Sequence, residues 1–397
     1  MHELIVRIAA RGDGVTSSGR HVPFGVPGDA LLDDGALAPG PHHQEPPCRH
    51  FPECGGCQLQ HADDEAYRGY LVSRIETALA QHDLATEMRE PHLSPPCSRR
   101  RATLRGLRVG GSAVLGFNAE KSHRIVDMRE CHILRPELFA LVAPLRQLLA
   151  SLLQPKRGAE VQLTLIDQGA DVLLKGIEPR GLEGIAQLTS FANAHRLARL
   201  SIDQGLGPEA FYEPQAATVT LSGRPVSFPV GGFLQATEDG EAALVAAVDE
   251  CVGDATVADL FAGLGTFAIA TSARYAAEAS RDAAAALKRA ASAMAVEHRD
   301  LYRRPLDADE LKRFGAVVLD PPRAGAEEQV RALAGSTVSR IAYVSCNPAT
   351  FARDAKALAH GGYTLEWVRP VGQFRWSTHV ELAACFARQS RSGVRKV

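Results

Sequence analysis

From about Gly231 onward the chain alternates short β-forming runs with alanine-rich stretches of helical character, and this restricts the fold more than any other feature. In order they are TVADLF, GTFAIATSA, AAAALKRAASA, GAVVLD, RIAYVS, ATFARDAKALA, YTLEWV and VELAACF. Strands separated by helices predict an α/β fold with a parallel, doubly wound sheet, because parallel neighbours need a long crossover. The carboxyl ends of such strands converge on one crevice, which makes the residues at those ends candidates for a common site.

Several chemically distinctive residues fall at such ends. VADLFAGLGTFAI (257–269) is a strand ending near Asp259, then a loop with Gly263 and Gly265, then a helix start. Glycines there let a ligand approach backbone at a helix N-terminus. The third glycine of the dinucleotide fingerprint is missing, which disfavours a pyrophosphate cofactor. Glu278 ends the next strand, where an acid can bind a ribose hydroxyl pair, and Asp300 and Asp320 close further strand-like runs. Asp320-Pro321-Pro322-Arg323 is the sharpest of these, since two prolines stop a strand abruptly and fix the preceding acid at the sheet edge. Cys346 directly follows RIAYVS, just before Asn347-Pro348, a setting that suits a presented thiolate favoured by nearby dipoles. Glu381 lies inside the terminal strand, where a buried charge needs a reason, and a carboxylate facing a thiol suits a general base.

The first half reads differently. Residues 1 to about 45 hold short alternating strands broken by Gly-Asp-Gly and Pro-Gly, a pattern that suits a small β-barrel or part of one. PHHQEPP (41–47) reads as a linker. A helix is expected around Asp63 to Gln81. A mixed α+β region then follows, with strand-like TLRGLRV, AVLGF, VQLTLID and DVLLKGI and helix-like PELFALVAPLRQLLASLL. The organisation expected is residues 1–45 as the barrel-like region, 46–230 as a central domain with a cysteine knot, and 231–397 as the doubly wound domain.

CRHFPECGGCQ places Cys48, Cys54 and Cys57 at metal-ligand spacing, with Cys131 as a fourth candidate and Gly55-Gly56 freeing the turn. Four thiolates suit a structural zinc or a 4Fe–4S cluster, spacing does not choose between them, and His50 and His61 compete as ligands. Cys97, Cys251 and Cys385 sit outside any such spacing and read as core residues.

A formal net charge of -2 predicts no global attraction to nucleic acid, so a polyanion site has to be a local patch. CSRRRATLRGLRV, with Arg99, Arg100, Arg101, Arg105 and Arg108, is the concentrated basic stretch, and phosphate contact is its natural use. The basic tail RQSRSGVRKV reads as disordered. No run of about 18 apolar residues suggests a membrane helix, and the first residues lack a signal-peptide pattern, so a cytoplasmic protein is expected.

Gly232-Phe233-Leu234-Gln235, Asp259-Leu260-Phe261-Ala262-Gly263-Leu264-Gly265-Thr266-Phe267, Asp320-Pro321-Pro322-Arg323, Ser345-Cys346-Asn347-Pro348 and His379-Val380-Glu381, in this order, resemble the RNA 5-methyluridine methyltransferases. The resemblance covers nearly the whole chain. It implies a class I S-adenosylmethionine-dependent methyltransferase fold with a TRAM/OB-like barrel at the N-terminus. Gln235, Phe261, Thr266, Glu278, Asp300 and Asp320 would line the S-adenosylmethionine site, Cys346 would be the nucleophile and Glu381 the base. Cys48, Cys54, Cys57 and Cys131 would hold a 4Fe–4S cluster, a trait of the family's 23S ribosomal RNA branch. A monomer acting on carbon 5 of a uridine in 23S rRNA is therefore expected, with transfer RNA as the alternative substrate and a non-catalytic, cluster-bearing RNA-binding protein as the rival from another class. Where the family carries an aspartate ahead of the terminal His-Val-Glu, this chain reads Gly372-Gln373-Phe374.

Overall fold

The computed structural model describes residues 2–179 and 181–388, so most of the basic tail lies outside the described residues. Five short strands open the chain: β1 (Glu3–Ile8), β2 (Gly14–Thr16), β3 (His21–Val22), β4 (Ala30–Leu31) and β5 (Leu37–Ala38). They form one antiparallel sheet ordered β3-β2-β1-β4-β5. The fully buried Asp29 accepts from the backbone of Val26 and Gly40 and bonds His43, which ties residues 40–43 to the sheet.

Helix α1 (Asp64–Ala80) begins where expected, with the Asp63 side chain capping it by accepting from the Ala66 amide. Strands β6 (Glu87–Met88) and β7 (His92–Leu93) follow. The central sheet comprises β8 (Arg101–Val109), β9 (Ser112–Gly116), β10 (Gly158–Ile166), β11 (Gly169–Lys175), β12 (Arg199–Asp203) and β13 (Pro208–Tyr212), ordered β13-β12-β11-β10-β8-β9. Its helices are α2 (Pro136–Phe139), α3 (Val142–Leu152) and α4 (Gly181–Ala194). The run read as one helix is thus two. Pro144 has no N–H to offer the Ala140 carbonyl, so it fits the first turn of α3 and not the interior of a longer helix. A hairpin of β14 (Thr218–Leu221) and β15 (Arg224–Ser227) leads out.

The remaining elements are α5 (Glu238–Val252), β16 (Val257–Leu260), α6 (Thr266–Ala270), β17 (Tyr275–Glu278), α7 (Arg281–Ala290), β18 (Ala295–His298), α8 (Ala308–Leu311), β19 (Ala316–Leu319), α9 (Glu327–Ala334), β20 (Arg340–Ser345), α10 (Pro348–His360), β21 (Tyr363–Gly372) and β22 (Glu381–Arg388). The sheet is ordered β18-β17-β16-β19-β20-β22-β21-β6, with β7 also on β21. Strands β16 to β20 are parallel as expected. The sheet as a whole is mixed, because β22 runs antiparallel to both β20 and β21. Residues 373–380 join β21 to β22 as a loop without a helix, and a short connection imposes an antiparallel pair. β6 and β7 extend this sheet in parallel with β21.

Helices α9 and α10 share one apolar core with α1 and with Ile8 and Val26 of the first residues, while α5, α6 and α7 cover the opposite face. Cys251 and Cys385 are buried as expected but are not separate thiols: a disulfide joins α5 to β22. Their separation of 134 residues hides the pairing from any local pattern.

Candidate active site

The parallel strands end at a cavity of about 550 Å³, within the range of small-molecule sites. Gln235, Phe261, Thr266, Glu278, Asp300, Asp320, Cys346 and Glu381 all line it. The eight candidates named from the sequence thus meet in one space.

One half is built from the ends of β16, β17 and β18. Phe261 and Gly263 have positive φ, 65° and 54°, so the chain turns sharply as it leaves β16. Gly265 is required for packing, since a Cβ there would lie 2.3 Å from Leu287 Cδ1 on α7. Glu278 Oε2 accepts from the Gly263 amide at 2.8 Å and its Oε1 from the Ser280 amide at 2.6 Å, which locks the carboxylate against the glycine loop. Asp300 accepts from the Tyr302 amide at 3.0 Å. The Tyr302 ring, which sequence reasoning missed, stands 5.5 Å from Phe261 and adds a second aromatic wall. Asp259 lies fully buried behind the loop, its carboxyl raised well above the usual range by burial and then by Asp320.

The other half carries the thiol and two acids. Asn347 caps α10, its Oδ1 accepting from the Ala349 amide, while its Nδ2 donates to the Arg323 carbonyl at 2.9 Å. Thr350 Oγ1 donates to the same carbonyl, so the loop that presents Cys346 is tied to the Asp-Pro-Pro-Arg turn that presents Asp320. Burial, then Glu381 and Asp320, push the Cys346 thiol up, against Arg323. The sequence led to the opposite expectation, a thiol eased toward its anion by dipoles; in the fold, burial and two acids outweigh them. Burial also raises Glu381 to about 7, with Gln373 and Arg101 opposing, and Asp320 to about 8, helped by Glu381 and Glu278. Glu381 is therefore poised to gain or lose a proton near neutrality.

The arginine stretch does not act as a unit, because its members are taken up by different partners. Arg100 is buried against Glu241 and the Gln235 carbonyl, Arg105 pairs with Glu160, and Arg108 bonds the Leu153 carbonyl. Of the five, Arg101 alone lines the cavity at the strand ends, its guanidinium 4.4 Å over the exposed ring of Phe233. Arg99 lines an adjoining groove with Arg11 and Lys121, and Phe374 and His379 border both spaces.

Cys48, Cys54, Cys57 and Cys131 line one small cavity, walled by Phe51, Phe117, Val126, Met128 and Ile133. His50 borders it, but its Nε2 is engaged by the Arg129 amide, and His61 is not part of its wall. Burial raises all four thiols, Cys131 to about 11 and Cys57 to about 12. Among the described residues no group of three or more His, Cys, Asp or Glu side chains is placed to hold a metal ion. No helix among them is long and apolar enough to cross a membrane.

The C-terminal sheet with its cavity at the parallel strand ends is the architecture of a methyltransferase. In fold, the chain is similar to the tRNA (uracil-54, C5)-methyltransferase of Pyrococcus abyssi, solved with S-adenosyl-L-homocysteine, at a TM-score of 0.74 and 22% identity over 98% of this chain and 100% of that one. Residues 284–389 match the family described as tRNA (Uracil-5-)-methyltransferase. An uncharacterized RNA methyltransferase of Zymomonas mobilis is 52% identical over 97% of this chain and 99% of its own length. A 23S rRNA (uracil(1939)-C(5))-methyltransferase, RlmD of Chromohalobacter salexigens, is 31% identical over 90% of this chain and 79% of its own. The chain belongs to the RNA uracil-5-methyltransferase family and is a transferase enzyme.

Proposed function

We propose that the protein transfers a methyl group from S-adenosylmethionine to carbon 5 of a uridine in RNA, with Cys346 as nucleophile and Glu381 as base. The observation that carries this reading is the convergence of one thiol, two raised carboxyls and a glycine loop on a single cavity. The cofactor, when bound, supplies a methyl group on a sulfonium. Gln235, Phe261, Thr266, Glu278, Asp300 and Asp320 fit it: two aromatic walls, a backbone approach at Gly263 and a fixed carboxylate at Glu278.

Carbon 5 of uracil is too weak a nucleophile to react unaided. The Cys346 thiolate adds to carbon 6, and the displaced electron pair loads carbon 5 and the neighbouring carbonyl oxygen. Carbon 5 takes the methyl group, Glu381 removes the carbon 5 proton, and the returning electron pair expels the thiolate. The target base must leave its stack to enter, which favours loop or single-stranded RNA.

The substrate we favour is 23S rRNA. The ribosomal RNA methyltransferase among its relatives supports that choice, and we propose with it that Cys48, Cys54, Cys57 and Cys131, which line one cavity, would hold a 4Fe–4S cluster. The four thiols around one largely apolar cavity are a soft donor set that would suit iron–sulfur ligation. On this reading residues 1–45 and 46–230 contact RNA, residues 231–397 carry the chemistry, and the enzyme is a cytoplasmic monomer. Incubation with RNA containing 5-fluorouridine and S-adenosylmethionine should trap a Cys346-dependent adduct on a denaturing gel; its absence overturns the mechanism. Mass-spectrometric mapping of 5-methyluridine in ribosomal and transfer RNA, from cells with and without the gene, tests the substrate, and loss of the mark from transfer RNA alone reverses the choice.

A further inference from the structure

The loop between β21 and β22 carries a side chain whose bonds reach both halves of the cavity. Gln373 is 1% exposed. Its Oε1 accepts from the Ala236 amide at 2.7 Å and the Thr237 amide at 3.4 Å. Two backbone donors on that oxygen fix which way round the amide lies. Its Nε2 then donates to Gln235 Oε1 at 2.7 Å and also to Glu381 Oε2. Both protons of one amide are thus spent on two cavity-lining side chains, and the oxygen is anchored to backbone. Position 372 has no room for a side chain in this role, since a Cβ on Gly372 would lie 2.7 Å from Leu93 Cδ2 and 3.0 Å from Leu71 Cδ1.

We propose that Gln373 is a positioning residue that aims the Glu381 carboxylate, and holds the Gln235 amide beside it, for removal of the carbon 5 proton. This rests on the role given to Glu381 above. A carboxylate held by one fixed donor keeps a single orientation, and its second oxygen stays free to take a proton. The charged and titratable groups facing Glu381 are Arg101 from β8, Asp320 beyond β19 and Cys346 beyond β20. Gln373 and Arg101 favour its charged form, whereas burial opposes it. Loss of the Gln373 donor therefore moves Glu381 toward higher pH.

The test uses the full chain with Gln373→Leu and Gln373→Glu. The second variant keeps an acceptor for Ala236 and Thr237, so the turn survives, but it sets a second carboxyl against Glu381. Adduct formation on 5-fluorouridine RNA reports the steps before proton removal, because fluorine occupies the place of that proton. Both variants should form this adduct within about twofold of the parent. Their turnover on unsubstituted RNA should fall about 10- to 100-fold, with an adduct accumulating there and the midpoint of the pH–rate profile moving upward. Unchanged turnover and midpoint in both variants overturn the proposal, as does an adduct rate that falls in step with turnover. Failure of the unmodified protein to form any adduct overturns the parent reading and this inference together.

Discussion

The protein holds thiols in two cavities, and what surrounds them differs. Around Cys48, Cys54, Cys57 and Cys131 the walls are phenylalanine, valine, methionine and isoleucine, with a single carboxylate, Glu130, at the edge. Around Cys346 stand Glu381, Asp320 and Arg323, with an opening toward a basic groove. Burial raises the thiols in both places, but only beside Cys346 do two carboxyls that are themselves raised, Glu381 and Asp320, face the thiol. A cysteine's chemistry is therefore decided by its neighbours and not by its own acidity. The first cavity suits four soft ligands that stay put, the second a sulfur that bonds and releases.

The largest effect separating the two cavities should come from Cys346→Ala, which removes the proposed nucleophile: turnover is expected to fall at least ~10⁴-fold, with the folded state intact by circular dichroism. Glu381→Gln comes next. Loss of the base should slow turnover about 10²- to 10⁴-fold while the denaturant-stable adduct persists, seen as a slow-migrating protein–RNA band. Cys57→Ser should act the other way round, abolishing the visible absorption of an anaerobically purified cluster and lowering the melting temperature, while Cys346→Ala leaves that absorption unchanged.

Smaller effects follow from protons. Activity of the unmodified protein should rise with pH through about 7, as Glu381 loses its proton, and a rate flat from pH 6 to 8 would exclude Glu381 as the base. Stability should move the opposite way. Glu381 is raised from 4.5 to about 7 in the fold, so between those values the folded state binds the proton that the unfolded state has lost. Stability then falls as pH rises across that window and stays reduced above it. Glu381→Gln should accordingly be more stable to unfolding than the parent at pH 8, by up to ~3 kcal/mol, with the difference vanishing near pH 4, as read from denaturant titrations.

Much of the site was legible because it is written at strand ends. Asp259, Glu278, Asp320 and Cys346 each close a β-forming run, and the parallel order of β16 to β20 gathers such ends by geometry alone. The residues that escaped owe their roles to contacts across the chain. Gln373 is tied to residues 235–237, and Tyr302 stands against Phe261 across the cavity, neither of which a local pattern shows. The five arginines of the basic stretch looked alike in sequence, yet partners distant in the chain gave them different surroundings. The Cys251–Cys385 bond and the addition of β6 and β7 to the C-terminal sheet are likewise long-range pairings without a local signal.

The loop that carries Gln373 is moored to much earlier chain. The Trp376 carbonyl accepts from the Gln58 and Leu59 amides. Tyr67 donates to the Phe374 and Ser377 carbonyls, Tyr70 to that of Thr378, and Arg375 pairs with Asp64. Those partners are made first and must wait some 310 residues for the loop to arrive. On a ribosome this sets an order in time: the cysteine-bearing segment and α1 emerge long before the loop that they moor and that leads into Glu381. A nascent chain carrying the glycine loop, Asp320 and even Cys346 still lacks Glu381, so on the proposed mechanism catalytic competence waits for β22.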